Sequence, residues 1–122
     1  MKRVLIFDDD EDILLVMSEL LAENFEVHTQ TNVNTVLENL EKVQPSVVIM
    51  DNWIPDYGGV YATQQIKKNP KYKDVPVIYI TANTNIHLVA TEAGAEYYLQ
   101  KPFDIDVFEN LVKRAAEQNG SN

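Results

Sequence analysis

The sequence of 122 residues contains no cysteine, only four glycines and one tryptophan, and no long uninterrupted apolar segment. Without cysteine, neither a disulfide framework nor a thiolate metal site can form. The apolar run near the amino terminus covers only 4–7, which is shorter than the core of a secretory signal peptide. No segment approaches the roughly 20 apolar residues of a membrane-spanning helix. These absences predict a cytoplasmic protein that makes no contact with a membrane.

Basic residues are also scarce, since ten Lys and Arg stand against nineteen Asp and Glu and give a formal net charge of −9. Non-specific binding to nucleic acid depends on neutralising phosphates with Lys and Arg, so we expect no nucleic-acid partner for this chain. The remaining composition, 45% hydrophobic and 24% charged, is that of a globular protein. We predict one domain over residues 1–118, followed by a polar tail at 119–122.

Short apolar segments alternate with segments of helical periodicity along the chain. The segments 4–7, 46–50 and 75–80 are rich in β-branched residues and bounded by polar residues or proline, as in buried parallel strands. A strand that alternates in polarity and lies nearer an edge is predicted at 25–30, and a fifth, weaker strand at 96–99. The stretches between the strands place their apolar residues on one helical face. Five β–α units with right-handed crossovers predict an α/β fold, a doubly wound five-stranded parallel sheet flanked by five helices.

Charged or polar side chains follow four of the five predicted strands. In a doubly wound sheet, ligands bind at the rim formed by the carboxyl ends of the strands. The residues at this rim are Asp8 and Asp9 after the first strand, Asp51 after the third, Thr81 after the fourth, and Lys101 with Pro102 after the fifth. We therefore expect three carboxylates, a hydroxyl and an ammonium group to converge at one edge of the sheet.

This set of side chains is suited to phosphoryl chemistry. Carboxylates crowded together repel unless they bind a proton or a cation. A site with only oxygen ligands on an open rim suits Mg²⁺, which keeps several waters and accepts phosphate oxygens. A carboxylate can attack a phosphoryl group, and one Mg²⁺ with one lysine supplies the charge neutralisation that the transfer needs. The rim is therefore equipped to form an aspartyl phosphate.

Four motifs carry a resemblance to a known family over nearly the whole chain: FDDDEDI at 7–13, VVIMDNWIPDYGG at 47–59, VIYITAN at 77–83 and AEYYLQKPF at 95–103. With these motifs in this order, the sequence resembles a response regulator receiver domain of two-component signalling, similar to the chemotaxis regulators. The resemblance implies a flavodoxin-like fold and a switch whose only reactions are its own phosphorylation and dephosphorylation. The implied donor is a sensor histidine kinase or a histidine phosphotransfer protein, and the implied target is a downstream protein.

The same resemblance implies roles for the acidic residues of the rim. Asp51 matches the phosphoacceptor of the family. Asp8 and Asp9 match the acidic pair that binds Mg²⁺ together with Asp51 and the backbone carbonyl of Trp53. On this interpretation Asp8 and Asp9 tolerate each other because a divalent cation offsets their charge.

The remaining rim residues match the switch of the family. Thr81 matches the hydroxyl that turns toward the phosphoryl group, and Lys101 matches the lysine that contacts it. Tyr98 matches the aromatic residue that moves inward when the threonine does. The resemblance also implies a cis peptide bond before Pro102, a minority state for such bonds.

A calcium-binding loop is one alternative interpretation of the acidic run. Asp8, Asp10, Asp12 and Glu19 have the acidic spacing of an EF-hand loop. However, the position that requires glycine holds Ile13, and a strand rather than a helix precedes it. We instead expect Asp10 and Asp12 to cap or flank the first helix, where acidic side chains are favoured.

A phosphatase of the haloacid-dehalogenase type is the second alternative, since it also forms an aspartyl phosphate on a doubly wound sheet. There the nucleophile would be Asp8, with Asp10 as the acid, but Asp12 stands where such enzymes usually have Thr or Val. The later acidic metal pair is missing, and 122 residues leave no room for a cap domain. Phosphorylation at Asp51 rather than at Asp8 would distinguish the receiver from the phosphatase.

The segment from Thr81 to Lys101 is somewhat shorter than is usual in the family. We expect the missing length to come from the fourth helix, leaving about two turns near Ile86–Ala93. That helix borders a face that receivers commonly use for dimerisation or output.

Overall fold

Five strands alternate with five helices in the computed structural model, which describes residues 1–51, 58–82 and 86–120. The strands are β1 (Arg3–Phe7), β2 (Glu26–Gln30), β3 (Val47–Asp51), β4 (Val77–Thr81) and β5 (Tyr97–Gln100). The helices are α1 (Glu11–Leu21), α2 (Val36–Val43), α3 (Gly58–Lys68), α4 (Ile86–Ala93) and α5 (Ile105–Gly120). The predicted α/β fold class is confirmed.

The strands form a single parallel sheet in the order β2-β1-β3-β4-β5. The chain order reverses next to β1, because β2 lies on one side of it and β3 on the other. Such a reversal opens a crevice at the carboxyl ends of the two central strands, where doubly wound proteins bind ligands. Asp8 directly follows β1, and Asp51 is the last residue of β3, so both carboxylates belong to this crevice.

Two apolar layers cover the two faces of the sheet. Successive side chains of a strand point to opposite faces, so β1, β3 and β4 contribute to both layers. One layer includes Leu5, Phe7, Val48, Met50 and Tyr79 together with residues of α2, α3 and α4. The other includes Val4, Ile6, Ile49, Ile78 and Ile80 together with residues of α1 and α5. Burying one large apolar side chain contributes about 1.5–3 kcal/mol, so these layers hold the strand ends in place.

Asp10 is the N-cap of α1, which confirms the capping role expected for this part of the acidic run. Its side chain accepts the backbone N–H groups of Asp12 at 2.9 Å and Ile13 at 3.3 Å. The cap satisfies two of the N–H groups that a helix start leaves without a partner. Asp12 lies exposed in the first turn. The N-cap of α1 therefore directly follows the two aspartates that were predicted to bind metal.

Some boundaries differ from the sequence prediction. β4 begins at Val77 rather than at 75, because the N–H of Val75 donates to the carbonyl of Tyr72 in a turn and Pro76 has no N–H to donate. α5 continues to Gly120, two residues into the predicted tail. The short α4 agrees with the length expected of it. Within the described ranges, no helix is both long enough and apolar enough to cross a membrane.

Candidate functional site

Three carboxylates meet in the crevice between β1 and β3. One oxygen from each of Asp8, Asp9 and Asp51 lies within 4.8 Å of the other two. Asp8 and Asp51 are buried, with 1% and 4% of their surface exposed, whereas Asp9 is exposed. The structure thus brings together the three acidic side chains that were expected to converge from separate strand ends, and it leaves their cluster open to solvent through Asp9.

Asp8 carries a buried charge that its neighbours only partly compensate. Its Oδ1 accepts the backbone N–H of Asp10 at 3.0 Å, but its Oδ2 has no hydrogen-bond partner in the described part of the chain. Burial is the main cause that raises the pKa of Asp8 to about 6, and the nearby charges of Asp51 and Asp9 act in the same direction. A buried carboxylate oxygen of this kind is stabilised by a proton or by a cation.

Lys101 supplies the positive charge of the site. Its Nζ donates to Oδ1 of Asp51 at 2.9 Å and lies 3.9 Å from Oδ2 of Asp8. Its backbone N–H donates to the carbonyl of Thr81 at 2.9 Å, which ties the segment after β5 to the end of β4. The bond between Lys101 and Pro102 is cis, as the resemblance implies.

Thr81 and Tyr98 lie on the two strands next to β3. Thr81 is the last residue of β4 and is fully buried, one strand away from Asp51. Tyr98 lies on the edge strand β5, and 46% of its surface is exposed. In this structure Tyr98 therefore points outward, and its inward movement stays a prediction. Trp53, whose carbonyl was expected to bind the metal, lies outside the described residues.

The oxygen donors of this site fit a divalent metal ion. Three carboxylates face one ammonium group, so two negative charges are in excess, and one of the oxygens, Oδ2 of Asp8, is buried without a hydrogen-bond donor among the described residues. Hard cations such as Mg²⁺ prefer carboxylate oxygens and keep waters on their open side. The exposed position of Asp9 leaves such a side open.

Gly59 and Tyr79 also shape the site, although the sequence prediction gave neither a role there. A Cβ atom on Gly59 would lie 2.4 Å from the backbone oxygen of Asp51 and 3.2 Å from the hydroxyl of Tyr79. Only glycine permits this approach of α3 to the end of β3. The glycine pair at the start of α3 was the signal in the sequence, but it indicated only where a helix begins.

The sequence matches the family model described as response regulator receiver domain over residues 4–113. The chain belongs to this family. As a receiver domain of two-component response regulators, it is a phosphorylation-activated signalling switch. The EF-hand and haloacid-dehalogenase interpretations of the acidic run are therefore set aside.

Individual relatives agree with this assignment. Regulatory protein AtoC of Escherichia coli K12 is 32% identical over 118 residues, which cover 94% of this chain and 25% of AtoC. DNA-binding transcriptional regulator NtrC of Proteus hauseri is 35% identical over 116 residues, covering 93% of this chain and 24% of NtrC. Among solved structures, chemotaxis protein CheY4 of Vibrio cholerae superimposes with a TM-score of 0.85 at 25% identity, covering 94% of this chain and 98% of that one. The receiver domain thus spans about a quarter of these two curated relatives and nearly all of CheY4.

The contact between Gly59 and Asp51 leads to a prediction. Because an added Cβ would meet the Asp51 carbonyl at 2.4 Å, Gly59→Ala must shift the end of β3. We expect phosphoryl uptake from acetyl phosphate to slow by about tenfold to a hundredfold, since small displacements of reacting groups have effects of this size. The free energy of unfolding should fall by about 1–3 kcal/mol, as for other overpacked sites. Uptake is followed by intact-protein mass spectrometry and stability by urea denaturation.

Gly58→Ala is the matched control. Gly58 has a φ of +76°, and a Cβ there would meet no atom of the described residues within 4 Å. The variant should lose about 1 kcal/mol to backbone strain, but its uptake rate should stay close to that of the unmodified receiver domain. Equal loss of uptake in both variants would contradict the proposed role of the Gly59 contact.

Proposed function

We propose that Asp51 of this receiver domain accepts a phosphoryl group in a Mg²⁺-dependent reaction. One observation carries the proposal: Asp51 lies in the buried crevice with the Lys101 ammonium at 2.9 Å on one side and the carboxylates of Asp8 and Asp9 within 4.8 Å. A carboxylate nucleophile needs cationic groups around it so that an anionic phosphoryl donor can approach. The arrangement supplies one such group directly and the ligands for a second.

The roles of the residues follow from this geometry. Asp8, Asp9 and Asp51 would hold Mg²⁺, together with the carbonyl expected from Trp53. When bound, Mg²⁺ supplies charge neutralisation at the phosphoryl oxygens. An oxygen of the Asp51 carboxylate forms a bond to phosphorus while the bond from phosphorus to the donor's imidazole nitrogen breaks, and the nitrogen keeps the electron pair. The Lys101 ammonium stabilises the negative charge on the transferred group.

The switch would act through Thr81 and Tyr98. In the phosphorylated state the Thr81 hydroxyl engages a phosphoryl oxygen. Tyr98, which is exposed on β5 in this structure, then turns inward. A phosphoryl group shifts the balance between two conformations only to the extent that it interacts better with one of them. Thr81 and Lys101 provide that difference. Thr81 ends β4 and Lys101 follows β5, so both approach the modified side chain from the same side of β3.

The partners proposed for this receiver domain are proteins. The phosphoryl donor carries a phosphohistidine, as a sensor histidine kinase or a histidine phosphotransfer protein does, and the activated state controls a downstream protein. We propose no contact of this chain with nucleic acid, because its net charge of −9 repels phosphates. The reactions proposed for this receiver domain are its own phosphorylation and dephosphorylation.

Mapping the modified residue tests the proposal. The receiver domain is incubated with acetyl phosphate, with and without Mg²⁺, then reduced with borohydride, which converts an aspartyl phosphate to homoserine. We expect homoserine at position 51 only when Mg²⁺ is present, detected by mass spectrometry of the peptides. Homoserine at position 8 would instead identify Asp8 as the phosphoacceptor and overturn the assignment of Asp51. Failure to take up any phosphoryl group in the presence of Mg²⁺ would overturn the proposal.

A further inference from the structure

Among the residues that the structure describes, Tyr79 is the largest fully buried side chain, with 0% of its surface exposed. It lies on β4 two residues before Thr81, so both side chains project from the same face of the sheet. Phenylalanine would fill nearly the same space without burying a hydroxyl group, whose removal from water is unfavourable unless it interacts with polar groups. The neighbours of this buried hydroxyl therefore indicate why the position holds tyrosine and not phenylalanine.

The hydroxyl of Tyr79 lies where α3 crosses the end of β3. It is 3.2 Å from the point that a Cβ of Gly59 would occupy, and the same point is 2.4 Å from the backbone oxygen of Asp51. The tip of the tyrosine thus reaches the first turn of α3 beside the residue proposed to be phosphorylated.

The ring of Tyr79 is held from the other side by the core under α3 and α4. It belongs to the apolar cluster that contains Ala62 of α3 and Ala90 and Ala93 of α4. Burial, followed by the charges of Asp51 and Glu92, raises the pKa of Tyr79 above its ordinary value, so the phenol stays protonated. A ring enclosed in this way keeps its hydroxyl at one place, since packed cores permit little displacement.

We propose that Tyr79 is a positioning residue of the phosphorylation site: its hydroxyl, packed against Gly59, holds the end of β3 so that the Asp51 carboxylate points toward the incoming phosphorus. The inference rests on the proposed function of Asp51. It assigns to Tyr79 an effect mainly on the rate of phosphoryl transfer and little on binding of the metal ion, because Asp8 and Asp9, two of the three carboxylates of the cluster, follow β1 and not β3.

The test is the rate of phosphoryl uptake by Tyr79→Phe, measured over a range of acetyl phosphate and Mg²⁺ concentrations. We expect the maximal rate to fall by about threefold to tenfold, as for a small misplacement of a reacting group. The half-saturating concentrations of acetyl phosphate and Mg²⁺ should stay within about twofold of the original values, since an effect confined to the transition state leaves ground-state binding unchanged. A purely structural role would not separate these two quantities.

Tyr72→Phe is the matched control, because Tyr72 is also nearly buried and its hydroxyl donates to Glu41, away from the rim. Its maximal rate should be unchanged. In the Gly59→Ala background, Tyr79→Phe should slow uptake by a smaller factor than it does alone, since groups in contact have non-additive effects.

A normal maximal rate in Tyr79→Phe, or an equal loss in Tyr72→Phe, would overturn the positioning role alone. If the unmodified receiver domain took up no phosphoryl group, the assignment of Asp51 would fail and this inference with it, so the two failures are distinguishable.

Discussion

Asp51→Asn is expected to lower phosphoryl uptake from acetyl phosphate by about a thousandfold or more, because an amide oxygen is a far weaker nucleophile than a carboxylate. The substitution keeps the size of a side chain that is 4% exposed, so the fold should persist. It also removes the negative charge that faces the Lys101 ammonium, which lies 2.9 Å from Oδ1 of Asp51. Intact-protein mass spectrometry after incubation with acetyl phosphate and Mg²⁺ measures the loss.

Asp10→Asn makes the same chemical change in the neighbouring acidic run and serves as the control. The Asp10 side chain caps α1 through one oxygen, and asparagine caps a helix about equally well. Uptake by this variant should therefore stay within about twofold of the original rate, the variation expected from an exposed charge that salt screens. If Asp51→Asn took up phosphoryl groups as fast as Asp10→Asn, position 51 would not be the phosphoacceptor.

Asp8→Asn should have two opposite effects, because Asp8 is buried with an oxygen that lacks a hydrogen-bond donor in the described structure. First, affinity for Mg²⁺ should fall by about tenfold to a hundredfold, since a ligand charge is lost. Second, without Mg²⁺ at neutral pH, the free energy of unfolding should rise by about 1–3 kcal/mol, since each unit of pKa shift corresponds to about 1.4 kcal/mol. Calorimetric titration and urea denaturation measure the two quantities.

The stability effect of Asp8→Asn should depend on pH. The pKa of Asp8 is raised from 3.8 to about 6 by burial, so the folded state holds the proton more tightly than the unfolded state. The protein therefore loses stability as the pH rises through this interval, and the asparagine variant does not. The advantage of the variant should be complete above about pH 6 and absent below about pH 4, in line with the two pKa values.

Asp12→Asn is the control for these measurements. The substitution removes the same formal charge, but Asp12 is exposed in the first turn of α1. It should change neither the Mg²⁺ affinity nor the stability by more than a small amount, as for most exposed charges. An Asp8→Asn variant that is less stable than the original protein at neutral pH without Mg²⁺ would contradict the description of Asp8 as a buried, poorly compensated charge.

Much of the site could be predicted because its residues stand at positions that local rules recognise. Asp8 and Asp51 follow apolar β-branched runs, and parallel strands deliver their carboxyl ends to one edge. Asp10 stands just before a helical pattern, where an aspartate serves as the N-cap. Each of these inferences uses neighbours within a few residues, so the local sequence was sufficient to make it.

Strand boundaries were less predictable, since hydrogen bonding decides them. The apolar segment that contains Val75 looked continuous with β4, but Val75 bonds back to Tyr72 and leaves the strand to begin at Val77. Apolar side chains occur in turns as well as in strands, so the sequence pattern does not distinguish the two. The pairing of Val48 with Val77 shows where the strand contacts its neighbour.

Alternating apolar runs and the residues at their ends were sufficient to establish the α/β architecture, the capped first helix and the identity of the acidic and basic groups at the rim. Distances, burial and compensation of charge depended on packing across the sheet. Lys101 meets Asp51 across 50 positions of sequence, and Gly59 meets Asp51 and Tyr79 only because α3 crosses the end of β3. Contacts of this kind depend on how several elements pack at once, which no local stretch of sequence encodes.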